Sequence, residues 1–331
     1  MMKAVFLDFD TVSAGDLDTS QLAATVGELK LFDIDEPRVP EMLRGVEVVL
    51  LNKVTLSRAL LEGSPTIKLV ALAATGTDNV DLAAARELKI AVCNVRDYCT
   101  ASVSQQVWAL ILSLNQHVYE YTRLTQGGQW SRDETGTVLS LPIRELQGRV
   151  FGVVGWGNLG RGAARIAEAF GMRVIIAERP GAPQPGAPQS GTHQSGAPQS
   201  GRVPLAELLE TSDIVSLHCP LNDATRGLIG VAQLALMKPE ALLINTARGG
   251  LIDSAALAAA LKAKRLAGAG LDVLAREPPP PDDPLLDPSI PNLLVTPHVA
   301  WAAREARQRC IDEIAANIQD FCNGGRRGRV V

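Results

Sequence analysis

Residues 149–170 constrain the fold more than any other stretch of the chain. An apolar run, Arg149–Val154, leads directly into Gly155-Trp156-Gly157-Asn158-Leu159-Gly160, and a helical pattern, Leu159 to Phe170, follows. A G-x-G-x-x-G pattern alone is weak, but between a strand and a helix it describes a turn whose glycines each have a physical task. Gly155 permits the tight turn, Gly157 lets a diphosphate approach the backbone, and Gly160 lets the helix pack closely on the strand. The helix N-terminus, Asn158 and Leu159 included, then offers amides to the anion. The next apolar run, Arg173–Ala177, ends at Glu178, eighteen residues past Gly160. A carboxylate there can accept hydrogen bonds from an adenosine ribose and repels a 2′-phosphate, so the pattern favours NAD(H) over NADP(H). Neighbouring Arg179 acts in the opposite sense.

The remaining sequence alternates in the same way. In the first hundred residues the strand candidates are Lys3–Leu7, Glu28–Phe32, Val46–Leu51, Lys68–Ala73 and Ile90–Asn94. Helical patterns such as Ser57–Glu62 and Leu82–Leu88 lie between them. A second series runs Arg149–Val154, Arg173–Ala177, Asp213–Leu217, Ala241–Asn245, Gly268–Val273 and Leu293–Thr296. Apolar strands alternating with helices predict an α/β fold with parallel sheets covered on both faces. At 331 residues the chain suits two domains. The boundaries expected are 1–100 plus 301–331 for one domain and 101–300 for the other.

From Ala101 to about Gln126 no Pro or Gly occurs, which predicts one helix of 26 residues, about 39 Å long, crossing between the domains. A second crossing helix is expected from Ala302 to Phe321, stopped by Asn323-Gly324-Gly325. The basic tail Arg326-Arg327-Gly328-Arg329 reads as a solvated end. Residues 181–201 hold four tandem pentads, GAPQP, GAPQS, GTHQS and GAPQS, ending at Gly201. They are too short for a solenoid and too polar to be buried, so a low-complexity loop is expected, and His193 within it receives no chemical role.

Composition excludes several classes. A net charge of −4 argues against a nucleic-acid partner. No apolar run approaches the ~20 residues of a membrane helix, and the start lacks the long apolar stretch of a signal peptide. A cytoplasmic protein without membrane partners is therefore expected. Five cysteines, irregularly spaced and without C-x-x-C, read as reduced thiols. The four histidines lack metal-ligand spacing, so no metal is expected.

Three segments past strand ends carry reactive groups: Asn245 to Gly250, Gly270-Leu271-Asp272-Val273 followed by Arg276-Glu277-Pro278-Pro279, and Val295 to Trp301. Open α/β sheets bind ligands at such ends. Together with the glycine turn and Leu217-His218-Cys219-Pro220-Leu221, these segments resemble the D-isomer-specific 2-hydroxyacid dehydrogenase family over nearly the whole chain. Ala73 to Asp78, Asn245 to Gly250 and His298-Val299-Ala300-Trp301 are most similar to its glycerate dehydrogenase (hydroxypyruvate reductase) branch.

The resemblance implies a flavodoxin-like substrate domain and an NAD-binding, doubly wound domain with crossing helices between them. It implies reduction of hydroxypyruvate, and of glyoxylate, by NADH. Arg248, Glu277 and His298 fall on the catalytic positions. A guanidinium binds and polarises a 2-keto acid. A histidine gives the proton that the reduced carbonyl oxygen needs, and a carboxylate on its ring orients it and favours the charged form. Ala74, Thr75 and Gly76 would present amides to the substrate carboxylate, beside Arg248 and His298. Asp78 and Asn79 would brace that turn. Thr75 and Val103 would lie near the nicotinamide, and Asp272 would hold its carboxamide. His218, Cys219, Pro220, Thr246 and Ala247 would line the cofactor pocket, with Arg248, His298 and Ala300 also touching it. A homodimer through the first crossing helix and its following loop is implied as well. Two departures stand out: the pentads beside the expected adenosine pocket, and Ser131–Ser140, which lacks the aromatic and cysteine content of close relatives.

Two other readings compete. Phe6-Leu7-Asp8-Phe9-Asp10-Thr11-Val12 resembles the first motif of haloacid-dehalogenase-like, Mg²⁺-dependent phosphatases, with Asp8 as nucleophile and Asp10 as acid/base, but no downstream acidic loop accompanies it. A non-catalytic NAD(H)-sensing protein of the same fold would keep all the segments above.

Overall fold

The apolar runs fold as parallel strands in two separate sheets. A computed structural model describes residues 2–179 and 201–331, so the tandem pentads and His193 lie outside the described residues. The chain divides into two units, Met1–Cys99 with Trp301–Val331, and Thr100–Ala300.

In the first unit β1 (Lys3–Phe6), β2 (Glu28–Leu31), β3 (Val48–Leu51), β4 (Leu69–Leu72) and β5 (Ala91–Cys93) lie in the order β2-β1-β3-β4-β5. Every neighbouring pair is parallel. This is the flavodoxin-like strand order. All residues of β3 and β4 are buried, which is why both read as unbroken apolar runs. The helix Arg304–Cys322 packs on β4 and on the short helix Ser20–Thr25. Its Ala306, Cys310, Ile311, Ile314 and Ile318 are buried. Arg307 anchors it, donating at 2.8 and 2.7 Å to the two carboxylate oxygens of Asp16.

The basic tail is not a solvated end. Arg329 bridges Cys93 in antiparallel fashion, and the Val330 amide donates to the Val92 carbonyl at 2.8 Å. Arg327 pairs with Glu313 at 2.6 Å. The tail covers the open edge of β5, which would otherwise present unpaired backbone groups.

The second unit holds β6 (Val150–Val154), β7 (Arg173–Ala177), β8 (Arg202–Val203), β9 (Ile214–Leu217), β10 (Leu242–Asn245), β11 (Gly268–Leu271) and β12 (Leu293–Val295). Their order is β12-β11-β10-β9-β6-β7-β8, again all parallel. Strand order reverses between β6 and β9, which creates a crevice at their carboxyl ends. Six strands are expected from the sequence, and the seventh is β8. It is two residues long, pairing Arg202 with Ile176 and Val203 with Ala177, too short to leave a pattern.

The 26-residue helix is two helices. Thr100–Asn115 and Val118–Gln126 meet at His117, whose φ is +50°. Tertiary bonds hold the break. Asn115 Nδ2 donates to the Arg144 carbonyl at 2.7 Å, His117 Nε2 contacts the Pro142 carbonyl at 3.2 Å, and the Tyr121 hydroxyl donates to the Leu141 carbonyl at 3.1 Å. The first helix is held by burial: Trp108 stacks on Phe151 and Phe170, with ring centroids 5.7 and 4.9 Å apart.

The phosphatase reading fails on geometry. The Asp8 carboxylate is fully buried and accepts the amides of Asn52 (2.9 Å), Lys53 (2.6 Å) and Val54 (2.8 Å). Asp10 accepts the Ile34 amide at 2.8 Å. Asp8 is a loop clamp that no substrate can reach. Replacing it with Ala leaves three amides without their acceptor. The expected cost is about 3 kcal/mol, read as a lower midpoint in chemical denaturation of purified Asp8→Ala protein.

Candidate functional site

The glycine turn sits at the switch point, between the end of β6 and the helix Asn158–Ala169. Gly155 has φ +105°, and a Cβ there would lie 2.5 Å from both the Cys219 nitrogen and the His218 carbonyl carbon. Only glycine lets β6 turn against the end of β9. A Cβ on Gly160 would lie 2.2 Å from the Gly155 carbonyl oxygen, whereas one on Gly157 would meet nothing within 4 Å. Gly157 is thus the open glycine of the three. The helix has no side-chain cap at Gly157 and no acidic residue in its first turn, so its positive end is not neutralised by its own side chains. Glu178 is exposed just past β7, its amide donating to the Val203 carbonyl at 2.9 Å.

Past β9 and β10 lie His218 and Thr246, side by side because Leu217 is in register with Asn245. His218 Nε2 contacts Ser216 Oγ at 2.8 Å, and its Nδ1 is buried without a partner among the described residues. Burial pushes the imidazole down to about 4, so the ring is neutral at neutral pH and lacks the imidazolium proton that a general acid gives up. That removes it as a rival to His298. Cys219 is buried, and its thiol is pushed up to about 11. Thr246 Oγ1 is likewise buried and without a partner among the described residues. Orphaned polar atoms on adjacent strand ends, beside an uncapped helix N-terminus, fit the polar edges of a dinucleotide.

The Asn245 side chain shapes the loop that presents Arg248. Its Oδ1 accepts the Ala247 amide at 3.0 Å, and its Nδ2 donates to the Arg248 carbonyl at 2.9 Å. The half-buried Arg248 donates from Nη1 to the Ala247 carbonyl at 2.8 Å. Gly249 follows because a Cβ there would lie 1.9 Å from the Leu274 carbonyl carbon. This close approach brings the Arg248 loop against the loop carrying Glu277. There Glu277 Oε1 accepts the Leu274 amide at 3.1 Å, and Oε2 lies 2.5 Å from His298 Nδ1.

His298 has φ +56°, a left-handed conformation uncommon for a residue with a Cβ. Its amide donates to the Asp272 carbonyl at 2.8 Å. The Asp272 carboxylate is buried and accepts Thr296 Oγ1 (2.5 Å), the Val299 amide (3.0 Å) and the Ala300 amide (2.7 Å). Ser102 Oγ donates to the Ala300 carbonyl at 2.6 Å, and Gln106 Nε2 donates to Thr296 Oγ1 at 3.1 Å. Ser102, Gln106, Thr296 and Asn245 are positioning groups that sequence reasoning passed over. Thr296, adjacent to the Pro297-His298 pair, was the one with a local signal. Val103 is buried in the first turn of the Thr100–Asn115 helix, and Pro220 is exposed after β9.

Ala74, Thr75 and Gly76 belong to the first unit, beyond β4. Thr75 Oγ1 donates to the Val95 carbonyl at 2.7 Å, and the Thr75 carbonyl accepts Asn94 Nδ2 at 2.7 Å. The amides of Thr75, Gly76 and Thr77 donate to no other described residue. Asn79 braces the Asp8-clamped loop, donating to the carbonyls of Asn52 (3.1 Å) and Val54 (2.9 Å).

A sheet of this order with its glycine turn at the switch point is the scaffold of dinucleotide-dependent oxidoreductases. Residues 108–300 match the family model "D-isomer specific 2-hydroxyacid dehydrogenase, NAD binding domain". The chain is 40% identical over 316 residues to a glycerate dehydrogenase of Methylorubrum extorquens, covering 93% of this chain and 95% of that protein. It is 34% identical to a hydroxypyruvate reductase of Blautia hydrogenotrophica, covering 98% of each. Among solved structures, an NADPH-dependent glyoxylate/hydroxypyruvate reductase from Sinorhizobium meliloti, in complex with NADP and malonate, superposes with a TM-score of 0.79 at 27% identity, covering 99% of this chain and 96% of that one. The chain belongs to the D-isomer-specific 2-hydroxyacid dehydrogenase family. It is an NAD-dependent oxidoreductase of the CH–OH group, and no helix among the described residues is long and apolar enough to cross a membrane.

The His218 environment has a measurable consequence. Its folded value lies below the ordinary value near 6.5, so the unfolded chain takes up the proton first. Its contribution is complete above about pH 6.5 and is lost as pH falls toward 4, by about 3 kcal/mol in total. Denaturation midpoints at pH 7, 5.5 and 4.5 should fall less steeply in His218→Gln, which keeps a polar atom for Ser216 and does not titrate.

Proposed function

We propose that the protein reduces hydroxypyruvate, and also glyoxylate, to D-glycerate and glycolate. The observation that carries this reading is the 2.5 Å contact between His298 Nδ1 and Glu277 Oε2, next to the Arg248 loop and past the strand ends of a dinucleotide sheet. Its relatives are named for these compounds: glycerate dehydrogenase, hydroxypyruvate reductase and glyoxylate reductase.

Bound NADH supplies the hydride to C2 of the keto acid. The chain's residues do the rest. Arg248 binds the substrate carboxylate and carbonyl oxygen through its guanidinium fork. With Nδ1 committed to Glu277, proton transfer to the carbonyl oxygen falls to His298 Nε2, and the same atom takes the proton back in the oxidative direction. Glu277 orients the ring and balances its charge. The first-turn amides at Asn158 and Leu159 would hold the diphosphate, Gly157 leaving it room. Cys219, Thr246 and Ala247 would line the pocket behind it. Glu178 would accept the ribose hydroxyls, and its charge selects NADH over NADPH. The proton donor is expected to contribute about 100-fold or more to turnover. His298→Ala should therefore lower kcat with hydroxypyruvate by that factor while NADH affinity, from fluorescence titration, stays within about twofold. Equal losses in both would remove His298 from its role. NADH binding without turnover of any 2-keto acid would turn the reading toward a sensor.

The same reading takes the protein as a cytoplasmic homodimer. All five cysteines are free thiols, as a reducing compartment keeps them. Around the break at His117 the chain exposes Val118, Tyr119, Trp130, Leu139 and Ile143, with Leu139 85% exposed. Apolar side chains gathered on one excursion suit a two-fold contact. Light scattering should give twice the chain mass, and Leu139→Glu should shift it toward the single chain.

A further inference from the structure

With a 2-keto acid as the substrate, as proposed above, we infer that Asn94 is a positioning residue for the carboxylate-binding turn 74–77, and that the tail after the last helix holds Asn94 in place. All of these residues belong to the first unit. The amides of Thr75, Gly76 and Thr77 donate to no other described residue, and consecutive free amides suit a carboxylate. Their direction is set from outside the turn. In a trans peptide the carbonyl and the next amide point opposite ways, so holding one aims the other. The Ala74 carbonyl accepts the Val95 amide at 3.1 Å, which aims the Thr75 amide away from Val95. The Thr75 carbonyl accepts Asn94 Nδ2 at 2.7 Å, which aims the Gly76 amide away from Asn94.

Asn94 is 6% exposed and is held on every side. Its amide donates to the Gly328 carbonyl at 3.0 Å, and its carbonyl accepts Asn317 Nδ2 at 3.1 Å from the helix Arg304–Cys322. Its Oδ1 accepts Arg96 Nε at 3.3 Å, which leaves the NH2 group facing Thr75. The tail reaches Asn94 by close approach. Gly328 has φ +62°, and a Cβ there would lie 2.8 Å from the Asn94 carbonyl oxygen and 2.6 Å from Asn317 Nδ2. The tail is itself tied to its helix, the Arg327 amide donating to Asp320 Oδ2 at 2.7 Å. Without the Asn94 bond the Thr75–Gly76 peptide is free to turn over. It then presents a carbonyl to the carboxylate in place of an amide, and the two repel.

Four proteins test this: wild type, Asn94→Asp, Gly328→Ala and the double variant, each assayed with NADH and hydroxypyruvate. An aspartate at 94 sets an acceptor against the Thr75 carbonyl, which also only accepts. Asn94→Asp should raise KM about 10-fold or more, the loss of a hydrogen bond to a charged group. The inhibition constant of oxalate should rise in parallel, with kcat falling by less than KM rises and the NADH Kd changed by less than about twofold. Gly328→Ala pushes on Asn94 from the tail and should raise KM in the same direction by less. It carries the test if Asn94→Asp does not fold. Because the tail acts through Asn94, the double variant should have a KM no higher than that of Asn94→Asp alone. A wild-type KM in either single variant would overturn the inference, as would a loss confined to kcat or to NADH affinity. If wild type reduces a different 2-keto acid and not hydroxypyruvate, the substrate reading alone falls, and the same comparison runs with that acid, which carries the same carboxylate. Reduction of no 2-keto acid would overturn both.

Discussion

Each unit depends on one buried carboxylate at the end of a parallel strand. A parallel sheet satisfies its amides along the strands, but the loops leaving its carboxyl ends must find acceptors elsewhere. In the first unit Asp8, just past β1, accepts three consecutive amides of the loop after β3. In the second, Asp272, just past β11, accepts two consecutive amides of the loop after β12 together with a hydroxyl. Both residues are fully buried. An ion in that position is tolerated only because its oxygens are occupied by donors. The same bonds that satisfy the ion fix the loop, and loops at these ends are where a ligand meets the sheet. Asp8 and Asp272, each just past its strand, share one mechanical task, holding the loop that leaves a neighbouring strand.

The legible part of the fold is the part written in periodicity. Strands buried on both faces read as apolar runs, so β3, β4, β6, β9 and β10 are found within two residues of their observed ends. The glycine turn is legible because close approach excludes every other residue at Gly155 and Gly160. What stays hidden is decided by tertiary partners. No breaker residue marks His117, where the bonds of Asn115, His117 and Tyr121 to the returning chain end one helix and begin another. The basic tail carries no strand signal, because its pairing comes from the open edge of β5. Asn245 and Thr296 are ordinary polar residues in sequence, and Asp8 and Asp272 read there as a nucleophile and a cofactor ligand rather than as loop clamps. Their weight comes from burial and from which amides surround them.

Histidine shows how far environment outweighs residue type. His218 and His298 both follow strands of one sheet, and both lie in segments that resemble the family. His218 meets a serine hydroxyl, and desolvation of its ring drives it toward the neutral form. His298 is half-buried with a carboxylate oxygen 2.5 Å from its ring. The second has a carboxylate partner on its ring. A search by residue type and strand position returns both, and the presence of a carboxylate two loops away separates them.

The close approach at Gly249 is the remaining link between these parts. Arg248 and Glu277 sit on loops from different strands, β10 and β11. A missing Cβ lets the backbones touch. Backbone against backbone is stiffer than contact between long side chains, which can change rotamer at low cost. The guanidinium and the carboxylate that backs His298 are thus positioned by one rigid contact, and Asn245 holds the Arg248 side of it from within its own loop. Precision at the reacting groups comes from glycine and asparagine positions that carry no charge, which is why a scan for charged residues alone finds the chemistry but not what holds it in place.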